Sequence, residues 1–529
     1  MEALHFSILF ILFLLITISK SLFTSYQKTT KKHYNNKNYV DEEGTASSSS
    51  SSSLSLLSLP PSPSSLPLLG HLHLVKKPLH RSLEAISRQY GPLVFLRFGS
   101  RPIILVSGPS AVNECFTKND VVLANRPQML AAKHLNYNFT TIVSASYGSM
   151  WRNLRRFTIL EIFSMARLQI SAIIRREEVD AFVRNLAKDY SGKDGSKRFH
   201  EWKKLEMKSR FNELVFNSIT KMIGLKRYFG EDVREEDLEE AKMFKEIMRE
   251  SVELIGSPYI GDYLPFMRWL DLKGLEKRMI RLQRRRDEFL RRAVGERRKL
   301  RANSNSNSFS SASNGTAAAT TIDTLLTTGT HTSAITMEWA MALMLNHPRT
   351  LAKARAEIDS QIGTDRLLQE SDLPDLTYLN SIINETLRLF PPTAIIVPHE
   401  ASSDCTVGGF KVPHGTMLLV NAWAVHRNPN NWLDPEEFKP ERFDSEDNHG
   451  NDFKFIPFGL GRRGCPGTRM AMRMIGLTLG RLVQCLEWER VGEETVEMSE
   501  GPGVTIPKVR PLEALYRPRQ ELANVLEKY

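Results

Sequence analysis

Phe458-Gly459-Leu460-Gly461-Arg462-Arg463-Gly464-Cys465-Pro466-Gly467 is the stretch on which the reading of this chain turns. One cysteine sits in a loop tightened by four glycines, with two arginines just ahead of it and Pro466 directly after. An apolar-periodic run from Met470 to Val483 follows and predicts a helix opening just past the cysteine. Pro466 at the first helical position and Cys465 at the cap would set the sulfur at a helix N-terminus, where the dipole and nearby cations favour thiolate. A thiolate on a glycine-tightened turn suits an axial haem ligand, because the backbone can then pass close beneath the ring.

Two other readings compete. A lone cysteine is often a small buried hydrophobe. Gly459-x-Gly461-x-x-Gly464 also matches a dinucleotide fingerprint, after the strand-like Phe453 to Ile456 and with Glu487 beyond. Against the second, Pro457 and Cys465-Pro466 crowd the phosphate turn, and too little chain follows to build a doubly wound sheet. The spacing Phe-Gly-x-Gly-x-Arg-x-Cys-Pro-Gly resembles the haem-binding loop of the cytochromes P450, the haem-thiolate monooxygenases.

The remaining chain is consistent with a large soluble-type domain behind a short apolar leader. Its 529 residues, 41% of them hydrophobic, suffice for one large or two medium domains. The net charge of +11 comes without a basic stripe interleaved with aromatics, so a membrane surface or an acidic protein fits it better than nucleic acid. Cys115, Cys405, Cys465 and Cys485 form no CxxC pair and no zinc spacing, which points to a reducing compartment.

Leu4 to Phe23 is almost wholly apolar and just long enough to span a bilayer, with Lys20 near its end and lysines 28, 31, 32 and 37 behind it. No small-residue cleavage site follows, so residues 1–23 read as a signal anchor whose lysines hold the rest of the chain in the cytosol. Residues 24–59 read as a basic, then serine-rich, linker. Pro60-Pro61-Ser62-Pro63 and Pro67 to Gly70 stiffen the start of the domain over 60–529 and resemble the proline hinge of microsomal relatives. Leu93 to Phe98 and Pro102 to Val106 predict a hairpin with Gly-Ser-Arg as its turn. Helical periods then dominate to about residue 300. Trp151-x-x-x-Arg155 puts an indole and a guanidinium on one helix face. The pair fits surface packing, but beside the cysteine loop it resembles the family's propionate-binding helix.

Residues 303–320 are Asn, Ser, Ala and Thr and predict a solvated loop. Thr327-Thr328-Gly329-Thr330-His331-Thr332-Ser333 follows and leads into a helix to about Asn346. In the family the matching helix crosses over the haem and carries an acid and a threonine that help deliver protons for oxygen activation. Thr332 matches the threonine, while His331 stands in place of the acid and would relay protons if its pKa stayed near 6.5. Only Ile322 to Thr328 lie between the loop and Gly329, roughly 10 Å of helix. The distal helix is therefore expected to be short, as though a segment were missing between Leu326 and Thr327.

Glu385-x-x-Arg388 lies within the helical run Leu376 to Leu389 and, with Arg442, resembles the family's Glu-Arg-Arg core element, which retains the haem and does not catalyse. Pro391-Pro392 ends that helix. Thr393 to Val397 and the turn Gly501 to Pro507 match segments that line the family's substrate pocket.

With Ala124-Asn125-Arg126-Pro127 and Glu338-Trp339-Ala340, the whole resembles the plant A-type enzymes, and within them the isoflavone-hydroxylase-like group. That implies a mainly α fold with a small β-sheet subdomain and haem b held by Cys465 as iron ligand. Arg463, Trp151 and Arg155 would face the propionates and Phe458 would shield the sulfur. Arg462, Arg469 and Arg473 would meet the acidic reductase. Electrons would come from NADPH through NADPH–cytochrome P450 reductase, and one oxygen atom from O2 would enter a small, largely apolar phenolic metabolite. The implied location is the endoplasmic reticulum membrane, single-pass, with the catalytic domain in the cytosol. Two alternatives remain: a haem-binding relative impaired by the short distal helix, and a haem-thiolate isomerase or dehydratase, against which Thr332 argues.

Overall fold

The computed structural model describes residues 57–529, apart from 189, 191–200, 231–232, 234, 258, 272–273, 304–314, 445–452, 523–524 and 526–529. The expected anchor and most of the linker lie outside the described residues. Leu57–Tyr529 forms one compact unit that contains every described strand and helix.

Its opening prolines are fastened to a sheet. Lys411 N–H donates to Ser58 O at 3.0 Å, Phe95 N–H to Pro61 O at 2.9 Å, and Gly70 bridges Phe98. The strands are β1 (Leu93–Phe98), β2 (Arg101–Val106), β3 (Lys203–Glu206), β4 (His399–Glu400), β5 (Cys405–Val407), β6 (Phe410–Val412), β7 (Met417–Val420), β8 (Leu486–Arg490) and β9 (Glu513–Pro518). One sheet runs β1-β2-β7-β4, with β2 and β7 parallel, another runs β3-β9-β8, and β5 pairs with β6. The hairpin is the expected one with a tighter turn. Arg101 pairs with Phe98 rather than lying in the loop, because Gly99 at φ +56 helps reverse the chain in two residues. Arg101 is held there by the carbonyls of Asp262 and Gln128, each at 2.7 Å.

The helices that position the site are α1 (Leu79–Tyr90), α2 (Ser149–Phe157), α3 (Ala172–Lys188), α4 (Met207–Met222), α5 (Glu235–Ile255), α6 (Leu275–Asn303), α7 (Gly315–Thr324), α8 (Thr330–Asn346), α9 (Thr377–Leu389) and α10 (Thr468–Cys485). Every residue of α8 from Ser333 to Leu345 is buried. A helix without a polar face has to lie inside, and α8 does, against α4, α9 and α10.

The segment upstream of α8 differs from expectation. Its composition predicts a solvated loop to residue 320, but the chain is helical from Gly315. A π-turn, Leu325–Gly329, joins α7 to α8, so 10 and then 5 helical residues precede Thr330. Alanine has the highest helix propensity, and Ala317 to Ala319 sit in this stretch. The threonine hydroxyls find partners within the helix: Thr324, Thr328, Thr332 and Thr336 donate to the carbonyls of Thr320, Thr324, Thr328 and Thr332, at 2.8, 2.7, 2.8 and 3.1 Å. Back-bonding absorbs most of the polar composition here, although the buried Thr330 hydroxyl meets no partner among the described residues.

Glu385 and Arg388 are fully buried on α9 and fully partnered. Arg388 Nε and Nη2 donate to the two Glu385 oxygens at 2.7 and 2.8 Å, and Arg442 Nε and the Lys439 N–H reach Oε1 at 3.0 and 2.9 Å. Arg388 also donates to the carbonyls of His426, Pro435 and Glu437. A buried charge network is tolerable only when satisfied this completely. It also reaches the cysteine loop: His426, whose carbonyl Arg388 holds, accepts the Ile456 N–H at its Nε2 at 2.8 Å, two residues before Phe458. Burial, with Arg388 and Arg427 beside it, pulls His426 down to about 3, so the ring is neutral and can accept.

Candidate active site

The cysteine loop folds on its own backbone. Cys465 N–H donates to Phe458 O at 2.9 Å and Gly464 N–H to Gly461 O at 3.1 Å. Gly459 and Gly461 have φ of +66 and +63, and a Cβ on Gly461 would run into the Asp120 carboxylate that accepts the Arg462 N–H. The expected cap is displaced. Helix α10 starts at Thr468 with Gly467 as its N-cap, leaving Cys465 and Pro466 outside the helix. Cys465 is reachable by solvent, yet enough protein surrounds it that desolvation raises its thiol above the ordinary value. The N–H groups of Gly467 and Thr468, the Thr468 hydroxyl and Arg155 oppose that rise. The N–H groups at the helix start thus act as expected, but burial outweighs them in the protein alone. Phe458 packs against the main core, and the Phe163 ring lies 3.5 Å from where a Gly467 Cβ would stand.

Around this loop is a cluster of cations that no carboxylate neutralises among the described residues. Arg463 donates to the carbonyls of Ala124, Ile142 and Ala145 at 2.7, 3.3 and 2.5 Å and stacks its guanidinium 4.3 Å from the Trp151 ring centre. Burial and then Arg155 pull it down to about 10. Arg126, 7% exposed, donates to Val143, Val397 and Pro398 carbonyls, and burial with Arg463 beside it lowers it well below its ordinary value. Burial also lowers Arg155, which lies near enough to Cys465 to interact with it. Among the described residues the other buried arginines each meet a carboxylate, as Arg388 meets Glu385. Three guanidiniums without a carboxylate, beside a reachable thiol, fit a ligand with a metal centre and two carboxylates. The residues present therefore suit a haem. The Trp151 indole N–H donates to Ile142 O at 3.0 Å, and its ring is the platform under the Arg463 guanidinium. Arg126 was not singled out as a site residue in the sequence, although Ala124 to Pro127 carried part of the family likeness.

On the distal side, Thr332 Oγ1 donates to Thr328 O, which leaves its lone pairs to accept. His331 does not stay near 6.5: burial, with Lys208 adding to it, pulls the imidazole down to about 4. It is a neutral ring at pH 7, and the expected proton relay through an ordinary imidazolium is not available.

The fold and site together define a haem-thiolate protein. The cytochrome P450 family model matches residues 60–512, and the chain belongs to the cytochrome P450 family. It is 47% identical over 482 residues to cytochrome P450 81Q32 of Catharanthus roseus, covering 89% of this chain and 93% of that one. It is 44% identical to the isoflavone 3'-hydroxylase of Medicago truncatula, covering 87% and 92% of the two chains. Against the (+)-piperitol/(+)-sesamin synthase of Sesamum radiatum it is again 44% identical, covering 89% and 93%. Among solved structures, a zebra fish cytochrome P450 with abiraterone superposes with a TM-score of 0.68 at 25% identity, over 84% of this chain and all of that one. The chain is thus a monooxygenase that uses thiolate-ligated haem iron and takes electrons from NADPH through a reductase. Neither the impaired-relative nor the isomerase reading is favoured by these likenesses.

Proposed function

We propose that this enzyme oxidises a small, largely apolar phenolic metabolite of the isoflavone or lignan kind. The observation that carries the haem-dependent part is the reachable Cys465 sulfur beside the unneutralised Arg126, Arg155 and Arg463. The substrate class rests on the names of the relatives and on the weakly polar Thr393 to Val397 and Gly501 to Pro507 segments. When bound, the haem supplies activation of O2, and thiolate ligation favours O–O cleavage. Cys465 would hold the haem iron through its sulfur, which the Gly467 and Thr468 N–H groups face. Arg126, Arg155 and Arg463 would take the propionates. Thr332 accepts or holds a proton at Oγ1 on the distal side, and Phe458 with Phe163 limits water at the loop. His331, being neutral, contributes a hydrogen-bonding ring and not a charge.

The reductase meets the face that carries Arg469, which is exposed and makes no ion pair among the described residues. Arg462 and Arg473 are tied to Asp120 and Glu370 and contribute less. Nearby, Trp151, Arg152, Arg155, Arg156, Ile159 and Leu160 line a shallow hollow of about 260 Å³ suited to an acidic partner with an apolar contact.

The chain resides in the endoplasmic reticulum membrane through the apolar stretch from Leu4 to Phe23, with its catalytic domain cytosolic. Among the described residues no single helix is long and apolar enough to cross a membrane. Exposed Leu57, Leu59, Leu66, Leu68 and Leu69 at the start of the domain support a lipid-facing side there.

The test is to express the full chain in microsomes and record the reduced, carbon-monoxide-bound spectrum, then turnover with reductase, NADPH and a panel of isoflavones and lignans. A thiolate-type Soret band that Cys465→Ser abolishes, with product from at least one panel member, is the expected result. Absence of any haem band overturns the reading. A haem band without product from any member removes the substrate class.

A further inference from the structure

Glu500 stands one residue before the turn Gly501–Pro507, and its carboxylate is almost fully enclosed, with 2% of the side chain exposed. Three donors from distant parts of the chain converge on it. His80 Nε2 and Arg81 Nε, both on α1, reach Oε2 at 3.0 and 2.9 Å, and Trp423 Nε1 reaches Oε1 at 2.9 Å. The indole of Trp423 is itself held between partners: the His80 ring at 5.1 Å, the Arg81 guanidinium at 5.1 Å and the Arg427 guanidinium at 4.1 Å. Asn421 Nδ2 donates to His80 O at 2.7 Å and closes the assembly.

The turn is held at its other arm by the distal helix. Glu500 pairs with Lys508 across the base, and Gly501 N–H donates to Pro507 O at 2.7 Å. Ile506 O accepts from Trp339 Nε1 of α8 at 2.8 Å, and Ile506 N–H donates to Pro392 O at 3.0 Å. Ile506 packs with Ala394, Trp423 and Ala424 in one buried cluster, and Trp423 N–H donates to Ala394 O at 3.0 Å. One arm is therefore tied to α8, the helix that carries Thr332, and the other arm to α1 through Glu500. Both segments expected to face substrate, Thr393 to Val397 and Gly501 to Pro507, meet at Trp423 and Ile506, and Trp423 gives its only side-chain donor to Glu500.

We propose that Glu500 is a positioning residue for substrate: its carboxylate sets where the turn Gly501–Pro507 stands relative to the distal helix, and so which part of a bound phenolic molecule faces the reacting centre. The inference rests on the proposed substrate-lining role of that turn. A carboxylate is required because all three partners are donors. An ionised carboxylate only accepts, whereas a glutamine would turn an NH2 toward at least one of them. The charge also matches Arg81 and Arg427, and His80 and Arg81 hold the group as a carboxylate well below its ordinary range.

The test compares the wild-type holoenzyme with Glu500→Gln, Glu500→Asp and Trp423→Phe. Deuterium exchange of the amides in 501–507 needs no substrate. Glu500→Gln is expected to speed it about tenfold, a fold-change of one lost buried contact, while exchange around Cys465 and the carbon-monoxide band stay at wild-type level. With an isoflavone as probe, Glu500→Gln is expected to weaken the spectral binding constant and change the ratio of regioisomeric products, with a smaller change in kcat. Glu500→Asp keeps an acceptor-only group and is expected to restore most of both. Trp423→Phe keeps the ring, removes one donor and shifts both in the same direction by less, which keeps the idea testable if Glu500→Gln does not fold. Unchanged exchange in Glu500→Gln or Trp423→Phe, with haem content intact, overturns the proposal. Faster exchange with wild-type isoflavone binding and product ratio also overturns it. If no isoflavone binds the wild type, the substrate class is what has failed, and the exchange result still decides whether Glu500 holds the turn.

Discussion

Arg286 on α6 and Asp323 on α7 form a buried ion pair, in which Arg286 Nε donates to Asp323 Oδ1 at 3.1 Å and Nη2 donates to Oδ2. The third guanidinium nitrogen donates to Leu135 O at 3.0 Å, and the two side chains are 3% and 6% exposed. This pair fastens the upstream part of the distal helix, which is drawn from a stretch with little apolar surface to bury. Its neutralisation matters more than its strength, because an ion taken this far out of water is tolerated only when paired.

Asp323→Asn is accordingly expected to cost about 3–5 kcal/mol, the usual consequence of leaving one buried partner uncompensated. The measurement is urea unfolding of the holoenzyme, together with exchange of the α7 amides. A midpoint and an exchange pattern like the wild type would mean that backbone and threonine bonding alone hold α7.

His331 gives a pH-dependent expectation. Its folded pKa of about 4 lies below the ordinary 6.5, so the native state binds fewer protons than the unfolded state between those values. The stability it contributes is present above pH 6.5 and lost as pH falls through about 4. His331→Asp removes that acid limb and places a carboxylate where Lys208 can attract it. Product formed per NADPH consumed at pH 7 is expected to rise severalfold, measured with oxygen uptake and product yield together. If the ratio does not change, a carboxylate at this position does not aid proton delivery.

Glu385→Gln replaces an acceptor-only group that faces four donors, from Arg388, Arg442 and Lys439. It should destabilise the holoenzyme by about 3–5 kcal/mol and release haem, because Arg388 is also what holds the His426 carbonyl behind the cysteine loop. Thermal unfolding and haem content read this directly. Retention of both would show that the backbone acceptors of the arginines suffice.

Arg126→Gln removes the most deeply buried member of the unneutralised cluster. Haem transfer to an acceptor apoprotein should speed up about tenfold, equivalent to the ~1.4 kcal/mol expected of one charge-assisted contact. Arg463→Gln should do the same, and the double variant should show less than the sum because the two guanidiniums are neighbours. An unaltered transfer rate for Arg126→Gln would assign that guanidinium to the backbone carbonyls alone.

Much of the fold is legible locally. The cysteine loop, the hairpin and the helix ending at Leu389 agree with their sequence patterns to within a residue or two, because turn glycines, alternation and helical spacing act over short distances. The stretch before Thr330 misleads for the same reason. Its composition looks solvated, while the threonine back-bonds and the Arg286–Asp323 pair that make it helical depend on geometry and on a residue 37 positions away. Glu500 carries no local signal, since its partners lie 419 and 420 residues earlier and 77 residues earlier in the chain.

Taken alone, the amino-acid sequence determined the family, the cysteine that can hold the iron, the Glu385–Arg388–Arg442 element and the presence of Thr332 with a histidine beside it. Only the tertiary structure decided which charges are matched. Glu385 neutralises Arg388, while Arg126, Arg155 and Arg463 are gathered without a carboxylate. It also decided that His331 is neutral and that Glu500 is enclosed by donors. The physical reason is common to all of these. Charge state and hydrogen-bond satisfaction depend on burial and on partners brought from far along the chain, whereas turns and helix periods are set by neighbours a few residues away.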